Sequence, residues 1–151
     1  MRHSSDQKLA ALRRVEGLDR CPTSELRAAS RVVDFVEVVA GSLLATEMRP
    51  ARRAWIVVDG TVEVTSRGDR LWLAGPGTLV GDLGLLGPVP MATSVASVTA
   101  VQALEFDPRA LDRLLGQPGV CRWICSQFDR QVRTLLGAPL TYERETVTPL
   151  S

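Results

Sequence analysis

Residues 81–95 read GDLGLLGPVPMATSV, and this stretch sets the expectation for the fold. Two glycines, Gly81 and Gly84, flank the acid Asp82 and allow the backbone to approach a ligand closely. A bend bounded by prolines follows, and then a run of small polar residues. Free N–H groups on consecutive turn residues and at a helix start form a concave site for an anion. The stretch is therefore typical of a backbone loop that holds an anionic ligand, although Met91 stands where a cation would be expected.

The segments on either side of this loop have the composition of short β-strands. They are rich in β-branched residues and are bounded by glycine and proline: RVVDFVEVVAG (31–41), WIVVDGTVEVTS (55–66) and TSVASVTAVQALEFD (93–107). The Asp59-Gly60 dipeptide joins two such runs, which predicts a two-residue hairpin with a type I′ turn. Residues 66–69 (SRGD) predict the next reversal. About eight short strands of this kind predict an antiparallel sandwich or jelly-roll barrel.

Helical patterns lie on both sides of the strands. Leu9, Leu12 and Val15 have helical spacing, and a second helix is expected near Thr23, whose hydroxyl can cap it. Asp107 followed by Pro108 predicts a capped helix start. The last helix carries an apolar stripe of Val120, Ile124, Phe128, Val132 and Leu135. We expect one domain over residues 1–151, made of N-terminal helices (6–29), a barrel (31–106), C-terminal helices (107–136) and a tail (137–151).

The composition excludes several classes of function. No apolar run approaches the length of a membrane span, and the N-terminus lacks the apolar segment of a secretory signal, which predicts a cytoplasmic protein without a membrane partner. The net charge of +1 gives no electrostatic reason for a nucleic-acid partner. Roughly fifteen residues follow the last helix, too few for a helix-turn-helix unit, so a transcription factor is not expected.

Catalysis and metal binding also lack their usual residues. His3 is the only histidine, which removes Ser-His-Asp and Cys-His catalysis and the histidine clusters of metal-dependent barrel oxygenases. We therefore predict no enzymatic activity, no metal and no cofactor. Three cysteines without a secretion signal predict reduced thiols. Cys121 and Cys125 share a helix face, either as a redox or metal pair or, the preferred interpretation, as small residues in a packed stripe.

The whole arrangement resembles the cyclic nucleotide-binding domain, the sensor module of the cyclic AMP receptor protein family and of cyclic-nucleotide-gated kinases and channels. The likeness covers roughly residues 9–136 and is carried by AGSLL (40–44), IVVDGTVEV (56–64) and residues 81–95. The last stretch is similar to the family's phosphate-binding cassette: Gly-Glu-Leu-Ala-Leu-Leu, four residues ending in Pro, then Arg-Ala-Ala-Thr-Val. The spacing matches without a gap. The resemblance implies a mainly β fold with flanking helices, a double-stranded β-helix (jelly-roll) barrel, and a regulatory or sensor function.

The resemblance also implies which residues bind the ligand. Asp82 stands for the acid that accepts hydrogen bonds from the ribose hydroxyl, although it is one methylene shorter, and it could equally cap a short helix. Leu83 and Gly84 would supply backbone donors, and Met91 occupies the position of the arginine that pairs with the cyclic phosphate. The expected site comprises Gly81, Asp82, Leu83, Gly84, Met91, Ala92, Thr93 and Ser94.

The Met91 side chain can neither donate a hydrogen bond nor neutralise a phosphate. Removing one partner of a desolvated charge pair costs about 2–5 kcal/mol, so the sequence predicts weak or altered binding of cyclic AMP or cyclic GMP. Three arginines, Arg49, Arg52 and Arg53, lie in the irregular segment before the predicted hairpin (55–66), and they either replace the missing cation or form a solvated basic loop. Two tryptophans, Trp55 and Trp72, either stack on a base or belong to the core.

Two functions remain open from the sequence. The first is a sensor domain that takes a cyclic nucleotide weakly, or another small ligand. The second is an interaction or dimerisation module that keeps the same barrel without binding a ligand. For partners, we expect a small molecule and either another protein or a homodimer formed through the C-terminal helix, because family members often pair through this helix.

Overall fold

The computed structural model describes residues 5–46, 52–81 and 93–135. Helices lie at both ends of the described chain: α1 (Ser5–Arg13), a short 3₁₀ turn (Leu18–Arg20), α2 (Thr23–Ser30), α3 (Pro108–Leu115) and α4 (Pro118–Leu135). The strands between them are β1 (Asp34–Val38), β2 (Leu43–Ala45), β3 (Ala54–Asp59), β4 (Val62–Ser66), β5 (Asp69–Ala74), β6 (Leu79–Gly81), β7 (Ser94–Ser97) and β8 (Val101–Phe106). Within the described ranges, no helix is both long and apolar enough to cross a membrane.

The strands form two four-stranded sheets in which every pair is antiparallel. Sheet I has the order β1-β8-β3-β6 and sheet II has the order β2-β7-β4-β5. Consecutive strands therefore lie in different sheets, as in a jelly roll, except for β4 and β5, which are paired within sheet II. The predicted mainly β fold with flanking helices, of the jelly-roll type, is confirmed.

Strands β3, β6 and β8 of sheet I are largely buried on both faces because they lie between sheet II and the helices, whereas β1 is only partly buried. One face and sheet II enclose the inner core: Ala45, Trp55, Val57, Val62, Val64, Ala74, Val80, Val95, Val101 and Ala103. The other face packs on the helices and forms the helix core, which includes Leu12, Leu26, Ala54, Ile56, Val58, Leu79, Leu104, Phe106, Leu114 and Ile124. Successive side chains of a strand point to opposite faces. Strand β3 therefore feeds both cores, which explains its unbroken apolar run over residues 54–58.

The hairpin predicted at Asp59-Gly60 is wrong. Strands β3 and β4 lie in different sheets and pair with other strands, so the turn carries the chain from sheet I to sheet II. Gly60 has φ 94°, and a Cβ placed on it would lie 2.2 Å from the Ala100 carbonyl oxygen. The dipeptide marks a reversal correctly, but strand pairing is decided by which faces are buried.

The two-residue turn with positive φ at both central residues occurs instead between β4 and β5. Arg67 has φ 55° and Gly68 has φ 83°, the sign pattern of a type I′ turn. Ser66 and Asp69 are paired across this turn. The reversal predicted over residues 66–69 is thus confirmed as a tight hairpin.

Of the two predicted helix caps, one is confirmed and one is wrong. The Ala110 N–H donates to Asp107 Oδ1 at 2.9 Å, which confirms Asp107 as the cap of α3. Thr23 does not cap α2, because Pro22 occupies the cap position. The Thr23 hydroxyl instead accepts a hydrogen bond from the Arg13 guanidinium at 2.6 Å, which ties α1 to α2.

Candidate functional site

The structure describes three of the eight expected site residues. Gly81, Thr93 and Ser94 lie in the described ranges, whereas Asp82, Leu83, Gly84, Met91 and Ala92 lie outside them. The ligand-contacting roles of all eight stay predictions. The described residues nevertheless fix where the cassette, residues 81–95, begins and ends.

Gly81 is the first residue of the cassette and the last of β6. It lies opposite Ala54 of β3 and has φ 134°, a backbone conformation that favours glycine. A Cβ placed on Gly81 would lie 2.6 Å from the Ala54 Cα and 2.7 Å from the Arg53 carbonyl oxygen. Real Cβ atoms do not approach backbone atoms so closely, so the sheet requires glycine at this position.

The cassette ends on the other sheet. Thr93 is 9% exposed, and Ser94 begins β7, where it is paired with Thr65 of β4. Strands β6 and β7 contact each other although they belong to different sheets. The cassette therefore leaves sheet I at Gly81 and enters sheet II at Ser94.

An acid on the inner face of sheet I holds two of the residues considered for ligand binding. The Trp55 indole N–H donates to Glu105 Oε2 at 2.9 Å, and the Arg53 guanidinium pairs with Glu105 Oε1 at 3.2 Å. The Trp55 side chain is 2% exposed within the inner core, which confirms the core interpretation of this residue, and Trp72 packs against the same core. Arg53 is half-exposed and its charge is offset by Glu105.

The other two arginines considered as replacement cations do not strengthen that hypothesis. Arg49 lies outside the described residues, and Arg52 is exposed with φ 53°. The sequence reasoning did not single out Glu105, although an acid within the apolar alternation of β8 is the kind of signal that marks an inward-facing polar group.

Two glutamines of α4 bind the strand that leads into the cassette. The Leu79 N–H donates to Gln127 Oε1 at 3.1 Å, and Gln131 Nε2 donates to the Leu79 carbonyl oxygen. The glutamines are 7% and 6% exposed. The sequence reasoning missed them because they are polar, yet their spacing from Val120 and Ile124 continues the buried face of the helix.

The cysteines are free thiols in different surroundings. Cys21 is buried, Cys121 is half-buried and Cys125 is exposed, so the packed-stripe interpretation is wrong for Cys125. Burial raises the pKa of the Cys21 thiol, and the Glu25 carboxylate adds to this rise. Desolvation also raises the pKa of the Cys125 thiol, and its hydrogen bond with the Cys121 thiol raises it further. Among the described residues, no group of three or more His, Cys, Asp or Glu side chains could hold a metal ion.

We expect a thiol reagent such as Ellman's reagent to modify Cys125 before Cys21 in the folded protein, because Cys125 is exposed to the reagent and Cys21 is buried. Both rates rise with pH because the thiolate is the reactive species, and the raised pKa values move this rise to higher pH. The two thiols lose their protons at a lower pH in the unfolded chain than in the folded protein. The free energy of unfolding therefore falls as the pH rises past the ordinary pKa of a thiol. Absorbance kinetics measure the rates, and Cys125→Ser should remove the fast phase. Equal rates for Cys21 and Cys125 would contradict the burial described.

Comparison with known proteins gives this geometry its context. The profile of the cyclic nucleotide-binding domain matches residues 35–117, more than half of the chain. A CRP-like cAMP-activated global transcriptional regulator of Mycobacterium tuberculosis is 27% identical over 111 residues, which cover 70% of this chain and 48% of the regulator. An HTH-type transcriptional regulator, Cmr, of the same species is 30% identical over 128 residues, covering 77% of this chain and 52% of the regulator. The chain thus spans about half the length of these relatives.

A solved structure shares the fold. The regulatory subunit of a cAMP-independent protein kinase A from Trypanosoma cruzi, bound to guanosine, superposes with a TM-score of 0.71 at 19% identity. The match covers 89% of this chain and 51% of that subunit. At this identity the likeness shows the fold and nothing more.

The comparisons correct the predicted partners. The expectation of no nucleic-acid partner, and with it the argument against a transcription factor, is contradicted because the relatives are transcriptional regulators, one of them HTH-type. These relatives are about twice as long as this chain, and the net charge of one domain does not decide whether a protein binds DNA. The protein partner or homodimer through the C-terminal helix receives no support from these relatives.

Two independent observations now agree on the identity of the fold. The sheets, the glycine at the start of the cassette and the flanking helices follow the arrangement that the sequence resemblance implied. The family profile covers β1 through α3 and reaches the residue before α4. This chain belongs to the cyclic nucleotide-binding domain family.

Proposed function

We propose that the chain is a regulatory sensor domain whose cassette binds cyclic AMP or cyclic GMP more weakly than a cassette with arginine at the position of Met91. The observation that carries the proposal is the gapless match of residues 81–95 to the family cassette. The family cassette has two charged residues, an acid and an arginine, and this chain keeps the acid as Asp82 but has Met91 in place of the arginine. Asp82 retains the acid, and the glycines retain the backbone access to the anion.

The described ends of the cassette support this function. The Gly81 backbone lies so close to the backbone of Ala54 and Arg53 that only glycine fits there, so the chain enters the cassette in a fixed direction. At the other end, Thr93 and Ser94 supply hydroxyl groups, which both donate and accept hydrogen bonds. A cassette of backbone and hydroxyl donors can hold a cyclic phosphate, but it lacks the charge-assisted pair that supplies much of the affinity.

The relatives favour a ligand-binding domain over a barrel kept only for interaction, because one of them is described as cAMP-activated. We propose further that the chain has no catalytic activity, since its only histidine is His3. The cytoplasmic location stays a prediction from the sequence.

A titration of the purified protein with cyclic AMP tests the proposed function. We expect calorimetry to show no dissociation constant in the low micromolar range. For a constant near 1 mM, ligand at about 10 mM stabilises the folded state by about 1.4 kcal/mol and raises the melting temperature by about 3–6 °C. At about 1 mM the rise is about 1–2 °C.

Linear AMP serves as the matched control because it has the same base and sugar without the cyclic phosphate, and guanosine tests a nucleoside without any phosphate. A rise with cyclic AMP that exceeds the rise with both controls supports the proposal. A low micromolar constant would contradict the role given to Met91. No rise at any concentration would contradict ligand binding and favour the interaction module.

A further inference from the structure

Strand β6 is short and stands at the edge of its sheet. It comprises three residues, Leu79–Gly81, and its only strand neighbour among the described residues is β3. An edge strand has a row of backbone groups that no strand satisfies. In this protein, that edge is the segment that leads directly into the cassette.

Helix α4 takes the place of the missing strand. Gln127 accepts the Leu79 N–H, and Gln131 donates to the carbonyl oxygen of the same residue. The two glutamines are four residues apart and therefore lie on one face of the helix. Their amides satisfy both backbone groups of one strand residue, as a neighbouring strand would.

The burial of these amides makes the arrangement specific. Both side chains are more than nine-tenths buried. A buried amide is stable only when it is hydrogen-bonded, so the glutamines would be costly here without Leu79 as their partner. The Gln127 acceptor faces the Leu79 N–H, and the Gln131 donor faces the Leu79 carbonyl oxygen, so each amide group lies opposite its complementary backbone group.

The held residue lies two positions before Gly81. Pairing with β3 fixes one edge of strand β6, and the two glutamines fix its other edge. Displacement of Leu79 would move Gly81, whose place against the Ala54 backbone leaves no room for adjustment. The geometry of the cassette entrance therefore depends on α4.

We propose that Gln127 and Gln131 are positioning residues of the ligand site: they fix β6 so that the cassette begins in the geometry that receives the cyclic phosphate. The ligand class rests on the proposed function above. The glutamines act through the backbone of Leu79 and do not contact the ligand.

A matched pair of substitutions tests this role. Gln127→Glu keeps an acceptor for the Leu79 N–H, whereas Gln131→Glu, at a pH where the carboxyl is ionised, replaces the donor by an acceptor that faces the Leu79 carbonyl oxygen. Both changes place a carboxyl at similar burial on the same helix, so a general effect of buried charge would act on both alike. In the Met91→Arg protein, we expect Gln131→Glu to weaken cyclic AMP binding by about tenfold and Gln127→Glu to change it by less than about threefold.

Amide hydrogen exchange measured by NMR gives a second readout that needs no ligand. We expect exchange at Leu79, Val80 and Gly81 to quicken about tenfold or more in Gln131→Glu, and less in Gln127→Glu. Val33→Ala serves as the stability control because Val33 is 1% exposed and precedes β1, at the opposite edge of sheet I. Val33→Ala should lower the melting temperature but leave the affinity for cyclic AMP unchanged. It should also leave unchanged the ratio between the exchange rates of the β6 amides and those of the remaining amides.

The outcomes separate this proposal from the proposed function. Equal effects of the two Glu substitutions, or unchanged exchange in β6, would overturn the positioning role. Faster exchange in β6 with unchanged affinity would overturn it as well. If the Met91→Arg protein binds no nucleotide, the proposed function fails, and exchange alone then decides whether the glutamines position the strand.

Discussion

Arginine in place of Met91 is expected to raise the affinity for cyclic AMP by roughly thirtyfold to a few thousandfold. The range corresponds to about 2–5 kcal/mol for restoring one partner of a desolvated charge pair. The guanidinium forms a bidentate, charge-assisted pair with a phosphate, and the thioether that it replaces forms no such bond. Met91 lies outside the described residues, so this prediction rests on the spacing of the cassette.

Calorimetric titration of the wild-type and Met91→Arg proteins with cyclic AMP measures this gain. Met91→Gln is the matched control because it has similar length and a hydrogen-bond donor but no charge, and it should recover only a small part of the affinity. Met91→Lys should give an intermediate gain, since a lysine binds phosphate as a point charge. A folded Met91→Arg protein with unchanged affinity would show that the site departs from the family at more than this residue.

Gly81→Ala is expected to lower the free energy of unfolding by about 2–6 kcal/mol, because it combines backbone strain with overpacking. The strain comes from φ 134°, and the overpacking comes from a Cβ placed 2.6 Å from the Ala54 Cα. The two nearest atoms to the new methyl group, the Ala54 Cα and the Arg53 carbonyl oxygen, belong to the backbone, so a side-chain rotation cannot relieve the contact. Urea denaturation followed by circular dichroism measures the loss.

Gly77→Ala provides the control in the same segment. Gly77 also has a positive φ, 87°, but the nearest atom to an added Cβ is the Glu16 backbone nitrogen at 3.9 Å. Its substitution should cost about 1–3 kcal/mol, the contribution of backbone strain without overpacking. Equal losses for the two alanine variants would refute the close contact between β6 and β3.

The sequence predicts well the features that depend on local chemistry. Asp107 caps its helix through its own side chain, and the conformations of Arg67 and Gly68 follow from a turn that a few residues determine. Gly81 is expected from the sequence for close approach to a ligand, which stays a prediction, whereas the structure shows a different need for glycine, the Ala54 and Arg53 backbone atoms beside it. Each of these predictions involves a constraint that acts within a few residues or on one residue type.

Features that depend on distant segments were not predictable in this way. The pairing of β3 with β6 and β8, rather than with β4, depends on how two sheets and the helices divide the apolar faces between them. The roles of Gln127 and Gln131 depend on the backbone of a strand about fifty residues earlier, as the separation of 48 residues between Leu79 and Gln127 shows. Polar residues on a helix are usually solvated, so composition alone assigns them to the surface.

The burial of β3 on both faces of sheet I has a consequence for how the molecule unfolds. Ala54, Ile56 and Val58 belong to the helix core while Trp55 and Val57, on the same strand, belong to the inner core. Neither core can lose its packing without removing support from a strand that the other requires. Unfolding of the barrel and of the helices is therefore expected to be a single cooperative event, and a barrel excised from its helices would expose the apolar outer face of sheet I to water.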